Sequence, residues 1–204
     1  MEEKKSGGEK TDWESEQEEL WPKEIKLREK RSKGQVGAVA GIFKIKVYPD
    51  SALKMPSTDV ENFDENLAKF VEKMHETMSA HDGVGLAAPQ VGVLKKIALV
   101  EFENALYVLI NPRLLKQEGM QEGDEGCLSF PGIYAPVKRP FRVSISTRDT
   151  SGAELVYDVE DFLARAFLHE MDHLEGKLFI EHLSNLKRGM IRKKMFKRAV
   201  GDDN

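Results

Sequence analysis

The chain has 204 residues, enough for one domain with an appendage, and a net charge of −4 that gives no reason to expect nucleic acid or an anionic membrane as a main partner. Its single cysteine excludes an internal disulfide and fits a reducing, cytoplasmic setting. No apolar run approaches the length needed to span a bilayer.

Residues 1–33 differ from the remainder. Glu, Lys and Arg dominate, and the apolar residues are few beyond Trp13, Leu20, Trp21, Ile25 and Leu27. A secretory signal needs an apolar core, and an organelle transit peptide is poor in acids; neither description fits. Two readings stay open: a solvated, largely disordered extension, or a segment that orders on a partner through Trp21, Ile25 and Leu27, with a helix at 23–32. The expected division is a charged extension over 1–38 and a catalytic domain over 39–200.

The folded part is expected to open near 36–42. Residues 43–47 alternate apolar and polar, and Tyr48-Pro49-Asp50 breaks the run. Over 62–79, Phe63, Leu67, Phe70, Val71, Met74 and Met78 recur at helical spacing and predict an amphipathic helix. His75 has no ligand-type residue one turn on, since Ser79 stands there, so it reads as a surface or edge histidine. Gly83-Val84-Gly85-Leu86-Ala87-Ala88-Pro89-Gln90 is glycine-rich but lacks the Lys-Ser or Lys-Thr of a phosphate loop. It reads either as a backbone that approaches a ligand closely or as a tight helix-to-strand connection. Strands are predicted at 96–100 and 106–110, the second stopped by Asn111-Pro112. Another is predicted at 142–147, joined through a turn at 149–152 to a hairpin partner at 154–157.

The run 160–175 reads as a helix ending at Gly176. Phe162, Ala166, His169 and His173 fall on one of its faces. His169-Glu170-Met171-Asp172-His173 is an H-E-x-x-H motif: two imidazoles one turn apart can grip one metal ion, and the glutamate can reach a water beside it. A third ligand is needed. The extended form of the motif would put it at 179, where Phe179 cannot bind. Glu181 is too close behind the motif, His182 follows directly, and only Asp202 and Asp203 remain downstream. The ligand is therefore expected upstream, at Cys127 in Asp124-Glu125-Gly126-Cys127-Leu128-Ser129, giving a Cys-His-His set with one position left for water. A basic helix over 187–198 closes the chain, with Leu186, Met190, Ile191 and Met195 or Phe196 on its buried side.

Three motifs thus occur in order: G-x-G-x-A-A-x-Q at Gly83 to Gln90, E-G-C-L-S at Glu125 to Ser129, and H-E-x-x-H at His169 to His173. Together they resemble the peptide deformylase family over about 43–198. The resemblance implies removal of the formyl group from the initiator methionine of new polypeptides, in a bacterial-type cytoplasm. The substrate partners would be N-formylmethionyl nascent chains, with a transient ribosome contact and neither a specific nucleic acid nor a membrane as partner. Cys127, His169 and His173 would hold one divalent ion, natively Fe(II), with Zn, Ni or Co able to substitute. Glu170 would move the proton, while the Gln90 amide and the Leu128 backbone N–H would hold the oxyanion. Gly85 would pair with the extended peptide, and Val84 would help line the methionine slot. Tyr134 stands where some members place an arginine near the peptide entry. Glu125 would pair with Arg139 and stiffen the cysteine loop; a solvated surface pair is the alternative. Leu168 departs from the glutamine that often precedes the first histidine.

Phe162 and Ala166, on the face of His169, read either as the methionine pocket or as ordinary core. Two other functions compete: a zinc endopeptidase, which the missing downstream ligand disfavours, and a structural Cys-His-His module, in which Glu170 would have no purpose. Short strands before and around one ligand-bearing helix predict an α+β fold, with mixed, mostly antiparallel short sheets about a central metal-binding helix and a C-terminal helix.

Overall fold

The computed structural model describes residues 41–201. The helix considered at 23–32, the boundary between 38 and 39, and Asp202 and Asp203 lie outside the described residues.

Helix α1 (Glu65–Ala80) starts where the Asp64 carboxylate accepts the Leu67 N–H at 3.0 Å, satisfying one of the free amides of the first turn. Its buried residues Leu67, Val71, Met74 and Met78 are the stripe that the sequence period predicts. Five strands form one antiparallel sheet in the order β1-β2-β3-β6-β7: β1 (Gly85–Ala87), β2 (Ile97–Phe102), β3 (Ala105–Glu118), β6 (Arg142–Arg148) and β7 (Glu154–Glu160). A separate hairpin pairs β4 (Gln121–Gly126) with β5 (Tyr134–Arg139).

The alternation of side chains along β2 explains the layering. Ile97 and Leu99 pack with α1, whereas Ala98 and Val100 pack with α2 (Asp161–Leu174) on the other face. Strand β2 is therefore covered on both sides, which is why Ile97 to Val100 are all apolar and buried. A third cluster, including Tyr48, Phe130, Val137, Phe179, Ile191 and Met195, joins the β4-β5 hairpin to α3 (Asn185–Gly201). Helix α2 ends one residue before the predicted limit, and Gly176 takes φ +69° just beyond it. A side chain at Gly176 would run into the Lys54 carbonyl.

Several expectations need correction. Residues 43–47 form no strand; single bonds hold them instead, from Phe43 N–H to Thr77 Oγ1 (3.0 Å) and from Lys46 N–H to the Gln90 carbonyl (2.7 Å). The alternation is real, since Phe43 and Ile45 pack on the α1 cluster, but no strand lies alongside to complete a ladder. Strand β3 does not stop at Asn111-Pro112. A register shift between Ile110 and Arg113 places the proline, which has no N–H to give, where the ladder skips. Asn111, at φ +52°, turns its amide to the Val60 N–H and C=O at 2.8 and 2.9 Å, and the strand continues. Strands β4 and β5 carry no strand signal, being rich in acids, glycine and a proline. Of the side predicted for α3, only Ile191 and Met195 are buried, and Leu186 is 75% exposed.

Candidate metal centre and active site

Helix α2 brings His169 and His173 to one buried face because they are four residues apart. Their ring centroids lie 5.1 Å from each other. Cys127 follows β4 directly and reaches the same place from 46 positions away, its Sγ 3.2 Å from His173 Nε2. The candidate ligand atoms of Cys127, His169 and His173 all lie within 4.8 Å of one another. Two ligands held by one tetrahedral ion at about 2.3 and 2.1 Å are about 3.6 Å apart, so the cluster has the dimensions of a metal site. The donors also suit a divalent ion, being one thiol and two imidazoles.

The charges point the same way. Burial would push the Cys127 thiol up, but the charge of His173 and hydrogen bonds from both histidines bring it down to about 5. Burial opposes charge on His169, yet its bonds to Cys127 and Glu125 raise it well above its ordinary value. A thiol held towards its thiolate beside two imidazoles is a donor set suited to a divalent cation.

Glu170, beside His169, is buried, and burial drives its carboxyl up to about 7 against the opposing charges of His169 and His173. Its Oε2 has no hydrogen-bond partner. A buried carboxyl oxygen left unpaired is costly unless the site supplies a partner during its work. The backbone of Gly85 passes so close that a Cβ there would collide with the Glu170 carboxyl. Gly85 is thus required by a close approach rather than by φ.

Gly85 also lies on the outer edge of the sheet. The Glu101 N–H donates to the Val84 carbonyl at 2.8 Å, so Val84 faces β2, and alternation turns the Gly85 backbone groups to the open edge. Gln90 is buried at the end of the same loop. Its Oε1 accepts the Ala87 N–H at 2.8 Å, which leaves Nε2 to point at Ser129 Oγ (3.2 Å) and Cys127 Sγ (3.4 Å). The bond from Phe130 N–H to the Cys127 carbonyl, at 2.8 Å, closes a turn over Leu128 and Ser129. In such a turn the N–H of the second residue, here Leu128, is not used by the closure.

Glu125 and Arg139 face each other in two bonds, Nε to Oε1 at 2.7 Å and Nη2 to Oε2 at 2.9 Å, both side chains 4% exposed. The solvated alternative for this pair is therefore wrong. Glu125 Oε2 also lies 2.8 Å from His169 Nδ1, which leaves Nε2 of that ring to face the cluster. Phe162 and Ala166 are half-buried; Phe162 packs on Phe102, with ring centroids 5.3 Å apart, and lies under the Arg165 guanidinium. The Tyr134 ring covers Gly126, where a side chain would strike it. Leu168 is half-buried against the sheet, consistent with a packing role. Three contributors have no role of their own in the sequence reading: Ser129 and Asp172, which appear there only as motif members, and His182, which is set aside there as a ligand. Asp172 could have been found, because it lies three residues after His169 and so next to it on the helix.

The polypeptide deformylase family model matches residues 42–189. The peptide deformylase of Thermotoga maritima is 41% identical over 155 residues, covering 76% of this chain and 94% of the relative. That of Clostridium botulinum is 47% identical over 137 residues, covering 67% and 93%. Among solved structures, the peptide deformylase of Legionella pneumophila superposes with a TM-score of 0.74 at 39% identity, covering 78% of this chain and 98% of that one. The Ehrlichia chaffeensis peptide deformylase in complex with actinonin gives 0.75 at 36% identity, with the same coverage. With the family model spanning most of the chain and relatives of this similarity matched nearly end to end, the chain belongs to the polypeptide deformylase family.

Proposed function

We infer that this chain hydrolyses the formyl group from the initiator methionine of newly made polypeptides, releasing formate and a free amino terminus. The observation that carries this reading is the unpaired, buried Glu170 carboxyl beside a Cys-His-His cluster, in a chain of this family. Cys127, His169 and His173 hold the divalent ion. The ion, when bound, supplies Lewis acidity to the attacking water and to the formyl carbonyl.

The chain's own residues do the rest. Glu170 takes a proton from the water and delivers it to the leaving amine, its buried Oε2 being engaged in no other hydrogen bond. As the carbonyl becomes tetrahedral, the Gln90 Nε2 and the Leu128 N–H hold the developing oxyanion. The peptide adds to the open edge of β1 through Gly85, as an extra strand would. Its methionine side chain lies against Val84, Phe162 and Ala166, with Tyr134 at the entry. Glu125 and Arg139 hold His169 and the Cys127 loop in place.

The native ion is Fe(II), with Zn, Ni or Co as substitutes, and a thiolate beside Fe(II) makes the activity oxygen-sensitive. Work in a bacterial-type cytoplasm, on chains leaving the ribosome, fits this role; no helix among the described residues is long and apolar enough to cross a membrane. The basic residues of α3, among them Lys187, Arg188, Arg192 and Lys193, suit a transient ribosome contact. In this layout residues 39–200 are the catalytic domain and 1–38 an extension. The test is Glu170→Gln assayed on a formyl-methionyl peptide. Bound metal should persist while formate release falls by at least about 100-fold; unchanged release would refute the role given to Glu170.

A further inference from the structure

His182 lies too close behind the H-E-x-x-H pair to share their ion, and the structure gives it another connection. Its Nε2 is 2.7 Å from Asp172 Oδ2. The same Asp172 oxygen accepts from Arg139 Nη1 at 2.5 Å. Arg139 turns the other edge of its guanidinium to Glu125, and Glu125 Oε2 is the atom facing His169 Nδ1. Each link shares an oxygen or a rigid planar group with the next. The string runs from a half-exposed surface histidine to a buried ring of the metal cluster.

We propose that Asp172 and His182 are positioning residues for His169, acting through Arg139 and Glu125, and that this string sets how tightly the chain holds its ion. The proposal rests on Cys127, His169 and His173 being the ligand set. The string crosses four elements: β4 carries Glu125, β5 carries Arg139, α2 carries His169 and Asp172, and the 3-10 turn Phe179–His182 carries the last member. Glu125 is two residues before Cys127, so the same bonds that orient the His169 ring also fix the strand that delivers the thiol. Ligands held in place before the ion arrives need not be ordered by it.

The partner count shows why His182 is needed. Glu125 and Asp172 share one guanidinium, and each carboxylate has one further nitrogen, His169 Nδ1 on Glu125 and His182 Nε2 on Asp172. The His182 N–H is the donor that completes Asp172. Without that donor the Asp172 carboxylate is free to turn towards water, and its grip on Arg139 loosens. Arg139 then has one fixed edge instead of two, and Glu125 one less constraint on the oxygen that faces His169.

The test uses the full chain stripped of metal and titrated with Co(II), followed by the thiolate-to-cobalt absorption and by competition with a chelator. Cobalt affinity should fall about tenfold in Asp172→Asn and several-fold in His182→Ala. It should recover in His182→Gln, whose amide can donate to Asp172, and the melting temperature of the metal-free His182→Ala chain should stay near that of wild type. Equal cobalt affinity in wild type, Asp172→Asn and His182→Ala overturns the proposal. So does a loss that His182→Gln does not recover and that the metal-free melting temperature matches, because that is a merely structural role. Failure of the wild-type chain to give the thiolate-to-cobalt band would sink the ligand set itself, a separate outcome.

Discussion

Two of the arginine–glutamate pairs that join neighbouring strands among the described residues share chemistry but not circumstance. Arg139 and Glu125 join β5 to β4 with both side chains 4% exposed. Arg142 and Glu160 join β6 to β7 with side chains 57% and 53% exposed. The exposed pair is solvated whether or not it forms, so water replaces most of what its loss removes. The buried pair has no such substitute, because each charge has left water and is compensated only by the other and by His169 and Asp172. The lesson is that an ion pair in this chain matters by where it is. The buried one is tied to the Cys127, His169 and His173 cluster, while the exposed one is an ordinary strand-edge contact.

The largest expected effect separates the two pairs directly. Arg139→Ala leaves Glu125 buried with His169 as its one remaining partner and should cost about 3–5 kcal/mol in denaturant unfolding of the metal-free chain. Arg142→Ala should leave the same measurement almost unchanged. Equal costs would break the comparison. Next comes Gln90→Ala, which takes a donor from the buried side of the molecule. Formyl-peptide turnover should fall about 100-fold, near 3 kcal/mol of barrier, with little change in KM. Glu125→Gln should then weaken metal binding by about 10- to 100-fold, read by chelator competition, while Glu160→Gln leaves it unchanged.

A smaller effect concerns acid. Burial opposes charge on Glu125, but bonds from Arg139 and His169 hold its carboxyl at about 2, down from 4.5. Burial likewise opposes charge on Asp172, and bonds from His182 and Arg139 hold it at about 2, down from 3.8. Both folded values are depressed, so their stabilisation is complete above the unfolded values and is lost as pH falls towards the folded ones. Stability should decline between about pH 4 and pH 2, and Glu125→Gln should flatten that decline, as measured by melting temperature against pH. The smallest effect is that of salt: raising ionic strength towards 1 M should erase whatever Arg142→Ala costs and leave the cost of Arg139→Ala nearly intact.

Much of the candidate site is legible in the sequence. The H-E-x-x-H spacing places His169, Glu170 and His173 by helical period alone, and the lone cysteine inside a second motif leaves little choice of third candidate ligand. The stripe of α1 was legible for the same reason. Strands β4 and β5 were not, because Gln121–Gly126 has almost no apolar residue to alternate and pairs only because Tyr134–Arg139 lies beside it. Asn111-Pro112 looked like a stop because local chemistry cannot announce a bulge that a neighbouring strand will accommodate. The exposure of Leu186 went unseen because helical period gives a face but not what covers it.

The sequence by itself determined which atoms can meet within one helix, and that the motifs together resemble one enzyme family, because a helix turns by a fixed angle per residue. Only the tertiary structure decided that Glu125, Arg139, Asp172 and His182 form one connected string and that Arg142 and Glu160 do not join it. Charge is a property of a residue, whereas burial and the partner that compensates it arise only when strands and helices distant in sequence close over one another.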